Sequence, residues 1–559
     1  MNSRSSRVAA AAIAVAVGLV VASCSPAGST GNSSAEQPAS VGNSGTDSTA
    51  AGETTGAADS GAAASGSATA PGSATAAAAP SGTFVVARTG DVDKLDPHLA
   101  TAFQTIETLG LVYDSLVKTD ADGKLIPGLA TSWKTSDGGK TITFQLRDGV
   151  KWQDGDAFTS ADVKASIERI LDEKTSAVGR SNLSLITSVD APDPGTAVLH
   201  LSAPDTAIYY ALASTNSSIL HAKDITAGTV GKTPDGTGPF SWKSWQPEQR
   251  VTLAANADYW GGAPGVASLE FRVIPSESSI LAGMKAGSFQ LGVLSDPSVA
   301  AQAEGASNFA LVKQPVLSYH VMQLNGRRPP LDKLKVRQAI ACAVDRQQVI
   351  DTAAFGDGQV TGPITSPGYQ FDPTEGLPCK PGDLDAAKQL LADAGEGGGF
   401  HLKTIVETGE YATSVAEGQN LQAQLAKIGV TLDLQQLTTS PYVKAWLDAD
   451  YDAAVALNGG SSDPFLMYGR YFTTDGSLTK PAGLESKELN ELLVKGNSTD
   501  DETVRQQTYQ QLQKTLLEQS PWVWMFRGDD YYLVSSKVQG FTARADESLT
   551  SLGSATLSG

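Results

Sequence analysis

Within residues 125–171 the hydrophobic pattern changes its period twice. Polar residues alternate with Ile142, Phe144 and Leu146, which predicts a β-strand with one apolar face. Turn residues follow, and the chain then reaches Thr159-Ser160-Ala161-Asp162, a capping-box sequence that predicts the start of a helix. The apolar face of that helix comprises Val163, Ile167, Ile170 and Leu171. The pattern therefore predicts a β-hairpin followed by an amphipathic helix.

The rest of the chain predicts further strands and helices, which alternate most regularly in the second half. The clearest helix there spans residues 334–353, because Val336, Ile340 and Val344 form one apolar stripe. In the first half a helix is predicted over residues 105–116. Strands are predicted at residues 197–201, 251–253, 269–274, 318–324, 402–406, 431–437, 451–457, 522–527 and 531–534. This alternation is typical of an α/β protein.

The N-terminus has the features of an export signal. Arg4 and Arg7 precede an apolar stretch, residues 8–21, that is too short for a comfortable membrane span. Small residues lead to Cys24 and resemble a bacterial lipobox, so we expect cleavage before Cys24 and acylation of its thiol. A plain signal peptide with an incidental cysteine is the alternative. Residues 25–82 are nearly all Ala, Gly, Ser, Thr and Pro, which predicts a disordered tether.

Composition limits the partners. The chain has 559 residues, enough for two or more domains, and 41% of them are hydrophobic, which is ample for a large core. The formal net charge is −19, so nucleic acid phosphates and acidic lipids would be repelled. Net charge does not identify a small ligand, because the charge of a pocket is independent of it.

Motifs typical of enzymes are incomplete in this sequence. Five histidines are widely spaced, with no His-Glu-x-x-His sequence and no second metal ligand at helical spacing. Residues 226–233 end like a phosphate-binding loop but lack its first glycine. Ser477 and Lys480 have the spacing of penicillin-binding enzymes without the companion motifs. The sequence therefore predicts no catalytic residue, no metal site and no cofactor, although a secreted hydrolase stays open as an alternative.

Several motifs together resemble one known family. Residues 125–171 read LIPGLATSWKTSDGGKTITFQLRDGVKWQDGDAFTSADVKASIERIL. Later motifs are Gly236-Thr-Gly-Pro-Phe240, Asn256-Ala-Asp-Tyr-Trp-Gly-Gly262, Val336-Arg-Gln-Ala-Ile340, Tyr451-Asp452 and Asp463-Pro464. On these motifs, over residues 83–541, the chain resembles the extracytoplasmic solute-binding proteins of peptide-type (family 5) ABC importers, whose members include peptide, oligopeptide and nickel receptors.

The resemblance implies the fold. Family members have two α/β lobes of the periplasmic-binding-protein type (type II, peptide-binding class), with an extra subdomain in lobe one and the ligand between the lobes. The connections between the lobes are expected near residues 316–325 and 522–527. After the signal peptide (1–23) and the tether (24–82), the resemblance predicts lobe one with its subdomain (83–317), lobe two (318–525) and a return to lobe one (526–559).

The resemblance also implies the function. The chain would be a lipid-anchored, monomeric and non-catalytic receptor on the outer face of the cytoplasmic membrane, which delivers a solute to the permease subunits of an ABC importer. An oligopeptide is the expected cargo, and an oligosaccharide, a metal complex, haem or another small solute is the alternative. A sensing protein that has lost transport is a third interpretation.

Candidate ligand-binding residues come from predicted loops, because rigid lobes present their loop ends to a ligand. Phe103 and Gln104 precede the first helix, and Tyr411 follows the strand at 402–406. For each aromatic residue, a position in the core or on the surface is an equally good interpretation.

The loop around residue 460 supplies the remaining candidates, Asn458, Gly460 and Asp463. Asp463 and Pro464 form an N-cap and N1 pair, so a structural role is favoured for Asp463, although the helix also offers amide groups to a ligand carboxylate. In peptide-binding relatives, an aspartate three residues before this pair holds the α-amino group of the ligand. Here that position is Gly460. We therefore expect weak dependence of binding on a free amine, unless Asp463 or Glu410 substitutes.

Cys342 and Cys379 are the remaining cysteines. Export would place them in an oxidising compartment, where disulfides form and persist. Cys342 also lies off the apolar stripe of the helix predicted at 334–353. We therefore expect a disulfide between them, with two buried free thiols as the alternative.

Overall fold

The computed structural model describes residues 80–369, 371–408 and 411–558. The predicted signal peptide, the lipidation site Cys24, Glu410 and almost all of the predicted tether lie outside these residues. No helix in the described part of the chain is both long enough and apolar enough to cross a membrane. The described residues form two large sheets and one smaller sheet, each covered by helices.

The first large sheet has seven strands. Thr83–Arg88 lies inside it and pairs in parallel with Ser268–Val273 and Leu291–Leu294, whereas the other neighbouring strands are antiparallel. Both faces of this strand are buried, which explains its continuous apolar run. The strand order is Phe309–Pro315, Asp529–Ser535, Leu291–Leu294, Thr83–Arg88, Ser268–Val273, Arg250–Ala255 and Phe240–Gln246.

A four-stranded antiparallel sheet is inserted in the chain between Thr83–Arg88 and Phe240–Gln246, the first two strands of the seven-stranded sheet in sequence order. The predicted strand Thr141–Leu146 and the predicted capping box are confirmed: the Asp162 carboxylate accepts a hydrogen bond from the Thr159 backbone N–H at 2.8 Å, and the helix Ser160–Leu171 follows. The apolar face of this helix packs in the same buried cluster as Phe144. The strand order is Ala130–Ser136, Thr141–Leu146, Thr196–Leu201 and Ile186–Asp193.

The second large sheet has six strands. Phe400–Glu407 pairs in parallel with both of its neighbours, and the remaining pairs are antiparallel. The strand order is Gln359–Val360, Trp522–Arg527, Tyr319–Leu324, Ala453–Asn458, Phe400–Glu407 and Val430–Leu437. Two short ladders pair Val117–Thr119 with Leu125–Pro127 and Val538–Gln539 with Thr556–Leu557.

The α-helices divide between the two halves of the described chain. Those before residue 310 are Phe103–Leu109, Ser160–Leu171, Ile208–Ala213, Ala222–Ala227, Glu277–Lys285 and Pro297–Ala301. Those after it are Leu334–Ala343, Arg346–Ala353, Leu384–Asp393, Ser414–Ala426, Thr439–Leu447, Pro464–Phe472, Thr479–Ala482, Lys487–Asn497 and Glu502–Gln519.

The chain passes between the two large sheets twice. It leaves the seven-stranded sheet after Phe309–Pro315 and enters the six-stranded sheet at Tyr319–Leu324. It returns through Gly528, which separates Trp522–Arg527 from Asp529–Ser535. We call the half with the seven-stranded sheet lobe one and the half with the six-stranded sheet lobe two. The returning strand Trp522–Arg527 stays paired in the six-stranded sheet up to its last residue, so we count it with lobe two.

Two predicted helices differ from the structure. The helix predicted over residues 334–353 is interrupted by extended backbone at Val344, and the side chain of Asp345 then caps a second helix. The helix predicted over 105–116 ends at Leu109, although the apolar residues beyond it are buried as expected. Periodicity predicted which residues are buried but not where these helices end.

A disulfide joins Cys342 to Cys379, whose Cα atoms lie 5.8 Å apart. Cys342 is fully buried in the core of lobe two. The link connects the helix Leu334–Ala343 to the segment that precedes Leu384–Asp393.

Candidate ligand-binding site

A cavity of about 320 Å³ lies between the two lobes. Its lining includes the ends of strands in both large sheets and both segments that connect the lobes. The lobe-one wall contains most of the charged side chains, and the lobe-two wall contains a cluster of aromatic rings. The two walls therefore offer different chemistry to a ligand held between them.

Arg88 and Glu107 form an ion pair in the lobe-one wall. The Arg88 side chain is almost fully buried, and its Nη1 lies 3.2 Å from Glu107 Oε2. Its Nη2 donates a hydrogen bond to Thr108 Oγ1 at 2.9 Å, and the guanidinium carbon lies 4.6 Å from the centre of the Phe271 ring. These contacts engage the cationic group of Arg88 within lobe one.

Three further carboxylates in the same wall have no cationic partner. Across the described residues, no lysine, arginine or histidine nitrogen lies within 4.0 Å of the carboxylate oxygens of Asp529, Asp530 or Glu547. Glu547 accepts a hydrogen bond from Ser318 Oγ at 3.1 Å, and Asp530 accepts a long one from the Tyr532 hydroxyl at 3.4 Å. The Oδ1 atom of Asp529 is buried without a hydrogen bond. These three carboxyl groups therefore have no salt-bridge partner among the described residues.

Burial and mutual repulsion perturb the acidity of these groups. Burial raises the pKa of Glu107 to about 7, against the opposing effect of Arg88. Burial also raises the pKa of Asp530 well above its ordinary value, and the charges of Glu547 and Glu107 add to the effect. Burial raises the pKa of Glu547 as well. A cation that entered the cavity would favour the ionised forms and release protons.

The lobe-two wall is built around His320. Its ring stacks on Phe526 with centroids 4.1 Å apart and planes 5° apart, and it meets Tyr411 edge to face at 5.6 Å. His320 Nδ1 lies 2.8 Å from Oε1 of the fully buried Glu417. This close contact and the stacking fix the orientation of a flat aromatic surface that faces the carboxylates of lobe one.

The structure places three of the sequence-predicted candidates in the wall of this cavity. Phe103 and Gln104 lie in the first turn of the helix Phe103–Leu109, and Tyr411 belongs to the opposite wall. The Phe103 side chain is 59% exposed and is therefore open to the cavity that it lines.

Asn458 and Gly460 line two further cavities that adjoin the first. Asn458 is mostly buried and its Oδ1 accepts a hydrogen bond from Gln323 Nε2 at 3.3 Å, which indicates a structural contribution. Gly460 packs against the outgoing connection: a Cβ atom there would lie 1.9 Å from the carbonyl oxygen of Leu317. This backbone path therefore has no room for an aspartate at position 460.

Asp463 lies away from the cavity between the lobes. Its side chain is completely buried, its Oδ2 lies 2.5 Å from Arg505 Nη2, and its Oδ1 accepts from the Phe465 N–H at 2.8 Å. It begins the helix Pro464–Phe472, as the Asp-Pro pair predicts. Its charge is compensated inside lobe two, so it is not available to hold the amine of a ligand.

Sequence reasoning missed His320, Phe526, Glu107, Asp530 and Glu547. His320 and Phe526 lie inside the two segments predicted to connect the lobes. Because the connections border the cleft, those segments could have been searched for ligand-binding residues. Asp530 follows Gly528 at the return, which is a weaker signal of the same kind. Nothing in the local sequence distinguishes the two glutamates among 60 acidic residues.

Two α/β lobes that are joined by two connections and enclose a cavity define a two-lobe solute-binding protein of the peptide-binding class. The family described as "Bacterial extracellular solute-binding proteins, family 5 Middle" matches residues 124–479, more than half of the chain. The chain belongs to this family.

Known proteins agree with the assignment. The chain is 28% identical, over 83% of its length and 92% of the relative, to the "Probable D,D-dipeptide-binding periplasmic protein DdpA" of Escherichia coli K12. The PBP AgaA of A. tumefaciens R10, solved in complex with agropinic acid, has a TM-score of 0.72 and 29% identity over 86% of this chain and 99% of that one. DppA of Helicobacter pylori, solved with the peptide STSA, has a TM-score of 0.71 and 25% identity over 86% of this chain and 98% of that one.

The chain is therefore a non-enzymatic, extracytoplasmic solute-binding component of a family 5 ABC importer. The absence of complete enzyme motifs from the sequence is consistent with that role.

Proposed function

We propose that this receptor captures a cationic solute, first of all an oligopeptide with a free amino group, and delivers it to an ABC permease. The observation that carries the proposal is the group of carboxylates Asp529, Asp530 and Glu547, which line the cavity without a cationic partner within 4.0 Å among the described residues. A buried charge is costly unless it is paired, and a ligand ammonium or guanidinium is the partner that this wall lacks.

The proposal departs from the weak dependence on a free amine that Gly460 predicts. Position 460 has no space for the anchoring aspartate of the peptide-binding relatives, because Leu317 occupies it. The carboxylates of lobe one supply another anion, on the opposite side of the cleft. A peptide would then place its amino group against lobe one and its side chains against the rings of His320 and Phe526.

Binding at both walls would also couple capture to closure of the lobes. A ligand that contacts Glu547 in lobe one and Tyr411 in lobe two makes both contacts only when the lobes are closed. Only such a difference in affinity between open and closed forms can shift the equilibrium between them. The closed form is the one that we expect the permease to recognise.

Isothermal titration calorimetry with tetra-alanine and with its N-acetylated form tests whether binding needs the positive charge of the peptide's amino group. We expect acetylation to weaken binding to the parent protein at least about tenfold, since it removes a charge paired in a buried site. The variant Asp530→Asn/Glu547→Gln should bind both forms equally weakly. Asp433→Asn, which removes an exposed carboxylate that pairs with His401 on the outer edge of lobe two, is the matched control and should behave like the parent.

The possible outcomes separate the two parts of the proposal. Equal binding of the two peptides by the parent would contradict a cationic ligand and would favour an oligosaccharide or a neutral solute stacked on the aromatic wall. No binding of either form would contradict the assignment of an oligopeptide.

Attachment to the membrane is the remaining part of the proposal. The lipobox-like sequence that ends at Cys24 and the polar tract up to residue 82 support a lipid anchor and a flexible tether for a monomeric receptor. Cys24→Ala should release the protein from the membrane fraction into the medium. Membranes that retain this variant as well as the parent would contradict the anchor.

A further inference from the structure

A second group of ionisable residues lies in lobe one, outside the lining of the ligand cavity. It combines the turn Asp154-Gly155-Asp156, the segment that begins the helix Ala222–Ala227, and Asp235. His221 stands at the centre of the group, immediately before that helix. These residues come from three separate parts of the chain, so anything that they hold together would also hold those parts together.

The His221 ring is held rigidly and has an unused nitrogen. It is 7% exposed and stacks on Trp152, with centroids 4.8 Å apart and planes 8° apart. Its Nδ1 is buried without a hydrogen bond, 3.5 Å from Asp235 Oδ2 and 3.9 Å from Asp154 Oδ2. A buried polar atom that points at carboxylates and bonds to none of them calls for a further partner.

These separations do not suit a direct hydrogen bond. A nitrogen and a carboxylate oxygen that share a proton lie about 2.7–3.2 Å apart. Two ligands of one tetrahedral metal ion, each about 2.0–2.2 Å from it, lie roughly 3.3–3.6 Å apart. The 3.5 Å between His221 Nδ1 and Asp235 Oδ2 therefore matches the edge of a coordination polyhedron.

The carboxylates of the group fall into two sets. Lys223 Nζ lies 2.7 Å from Asp154 and 3.0 Å from Asp156, so those two already have a cation. Asp224 and Asp235 have no lysine or arginine nitrogen within 4.0 Å in the described part of the chain. One ligand atom from each of His221, Asp224 and Asp235 lies within 4.8 Å of the other two.

We propose that His221 Nδ1, Asp224 and Asp235 bind a divalent transition-metal ion such as Zn²⁺. An imidazole with two carboxylates favours Zn²⁺ or Mn²⁺ over Ca²⁺, which prefers oxygen ligands alone. The ion would join the helix Ala222–Ala227 to the loop that contains Asp235, and so would stabilise lobe one without taking part in solute binding. The sequence contains no recognisable metal motif here, because the ligands are brought together by the fold.

Thermal unfolding of the chelator-treated full chain tests the site. Zn²⁺ at about one hundred times its dissociation constant should raise the unfolding temperature by roughly 3–5 °C, and Ca²⁺ should not. Asp235→Asn and Asp224→Asn should each abolish most of that rise. Asp190→Asn is the matched control, because Asp190 pairs with His200 at 3.0 Å on the exposed surface of the four-stranded sheet; this variant should keep the full rise.

A titration of the unmodified chain with Co²⁺ needs no variant and covers the case in which a substitution impairs folding. We expect one equivalent to bind and to give the visible absorption of a low-symmetry nitrogen and oxygen site. The proposal would be overturned by the absence of any Zn²⁺ shift, by a shift that survives both aspartate substitutions, by an equal response to Ca²⁺, or by a Co²⁺ spectrum identical to that of the hexaaquo ion.

Discussion

Two groups of carboxylates in this molecule, one fully buried and one lining the ligand cavity, have opposite surroundings. In lobe two, Asp463 lies 2.5 Å from Arg505 and also accepts a backbone hydrogen bond from Phe465. In lobe one, Asp530 and Glu547 face the ligand cavity, and no cationic nitrogen of a described residue lies within 4.0 Å of either. The counter-charge of the first group is part of the fold, whereas the second group has no salt-bridge partner among the described residues and avoids an unpaired charge only by staying protonated or by meeting a cationic ligand. We therefore expect the first group to determine stability and the second to determine binding.

The largest effect is expected from Asp463→Ala. The substitution leaves the guanidinium of Arg505 buried without its partner, which should lower the free energy of unfolding by about 3–5 kcal/mol. Urea denaturation measures this loss. Asp433→Ala, which removes a carboxylate from an exposed pair with His401, should change stability little. Equal losses in the two variants would contradict the structural role of Asp463.

Loss of the disulfide of lobe two should have the next largest effect. Cys342 and Cys379 close a loop with a sequence separation of 37, and opening it should lower the free energy of unfolding by about 2–4 kcal/mol. The double variant Cys342→Ser/Cys379→Ser, compared with the parent by urea denaturation, measures this change. Thiol counting on the unreduced, unfolded parent should find no free thiol. Two titratable thiols would show that the bridge does not form.

Gly460→Ala sharpens the comparison at the position where the family pattern places an acid. The added Cβ meets the carbonyl oxygen of Leu317, a backbone atom that cannot rotate away, so we expect a loss of about 1–3 kcal/mol. Gly459→Ala is the matched control, since a Cβ at that glycine has no neighbour within 4 Å. Comparable stability of both variants would show that the backbone near Leu317 yields easily, and that position 460 could accept a side chain.

The fold could be predicted from the sequence wherever its signals are local. Alternation and turn residues were sufficient for Thr141–Leu146, and the capping box for the start of Ser160–Leu171. The break at Val344 could not be predicted from periodicity, because Val344 itself lies on the apolar stripe of Val336 and Ile340. Asp345, a good N-cap residue in the middle of the stripe, was the available signal.

The candidate site could be predicted only in part, because sequence patterns report local structure and most of the site is assembled from distant parts of the chain. Phe103 and Gln104 lie beside a predicted helix start, so loop reasoning found them. Glu107, Asp530 and Glu547 lie far apart in the sequence and share one cavity only after the chain has crossed between the lobes and returned. No local pattern encodes that meeting, and the negative wall is a property of the folded chain.

The smallest effect concerns the pH dependence of the ligand-free protein. Burial raises the pKa of Glu107 to about 7, so the folded protein binds more protons than the unfolded chain near neutral pH. Stability must then fall as the pH rises, by about 1.4 kcal/mol between pH 6 and pH 8 for this group alone.

The measurement is a pair of urea titrations at the two pH values on the parent and on Glu107→Gln. Gln keeps the shape of the side chain and can still accept from Arg88, but it does not titrate, so the pH-dependent loss in the parent should exceed that in the variant by about the same 1.4 kcal/mol. An equal pH dependence in both proteins would mean that Glu107 is ionised throughout this range. Arg88 would then neutralise Glu107 as fully as Arg505 neutralises Asp463. Of the carboxylates discussed in the cavity wall, Asp529, Asp530 and Glu547 would then be the ones that lack a cationic partner.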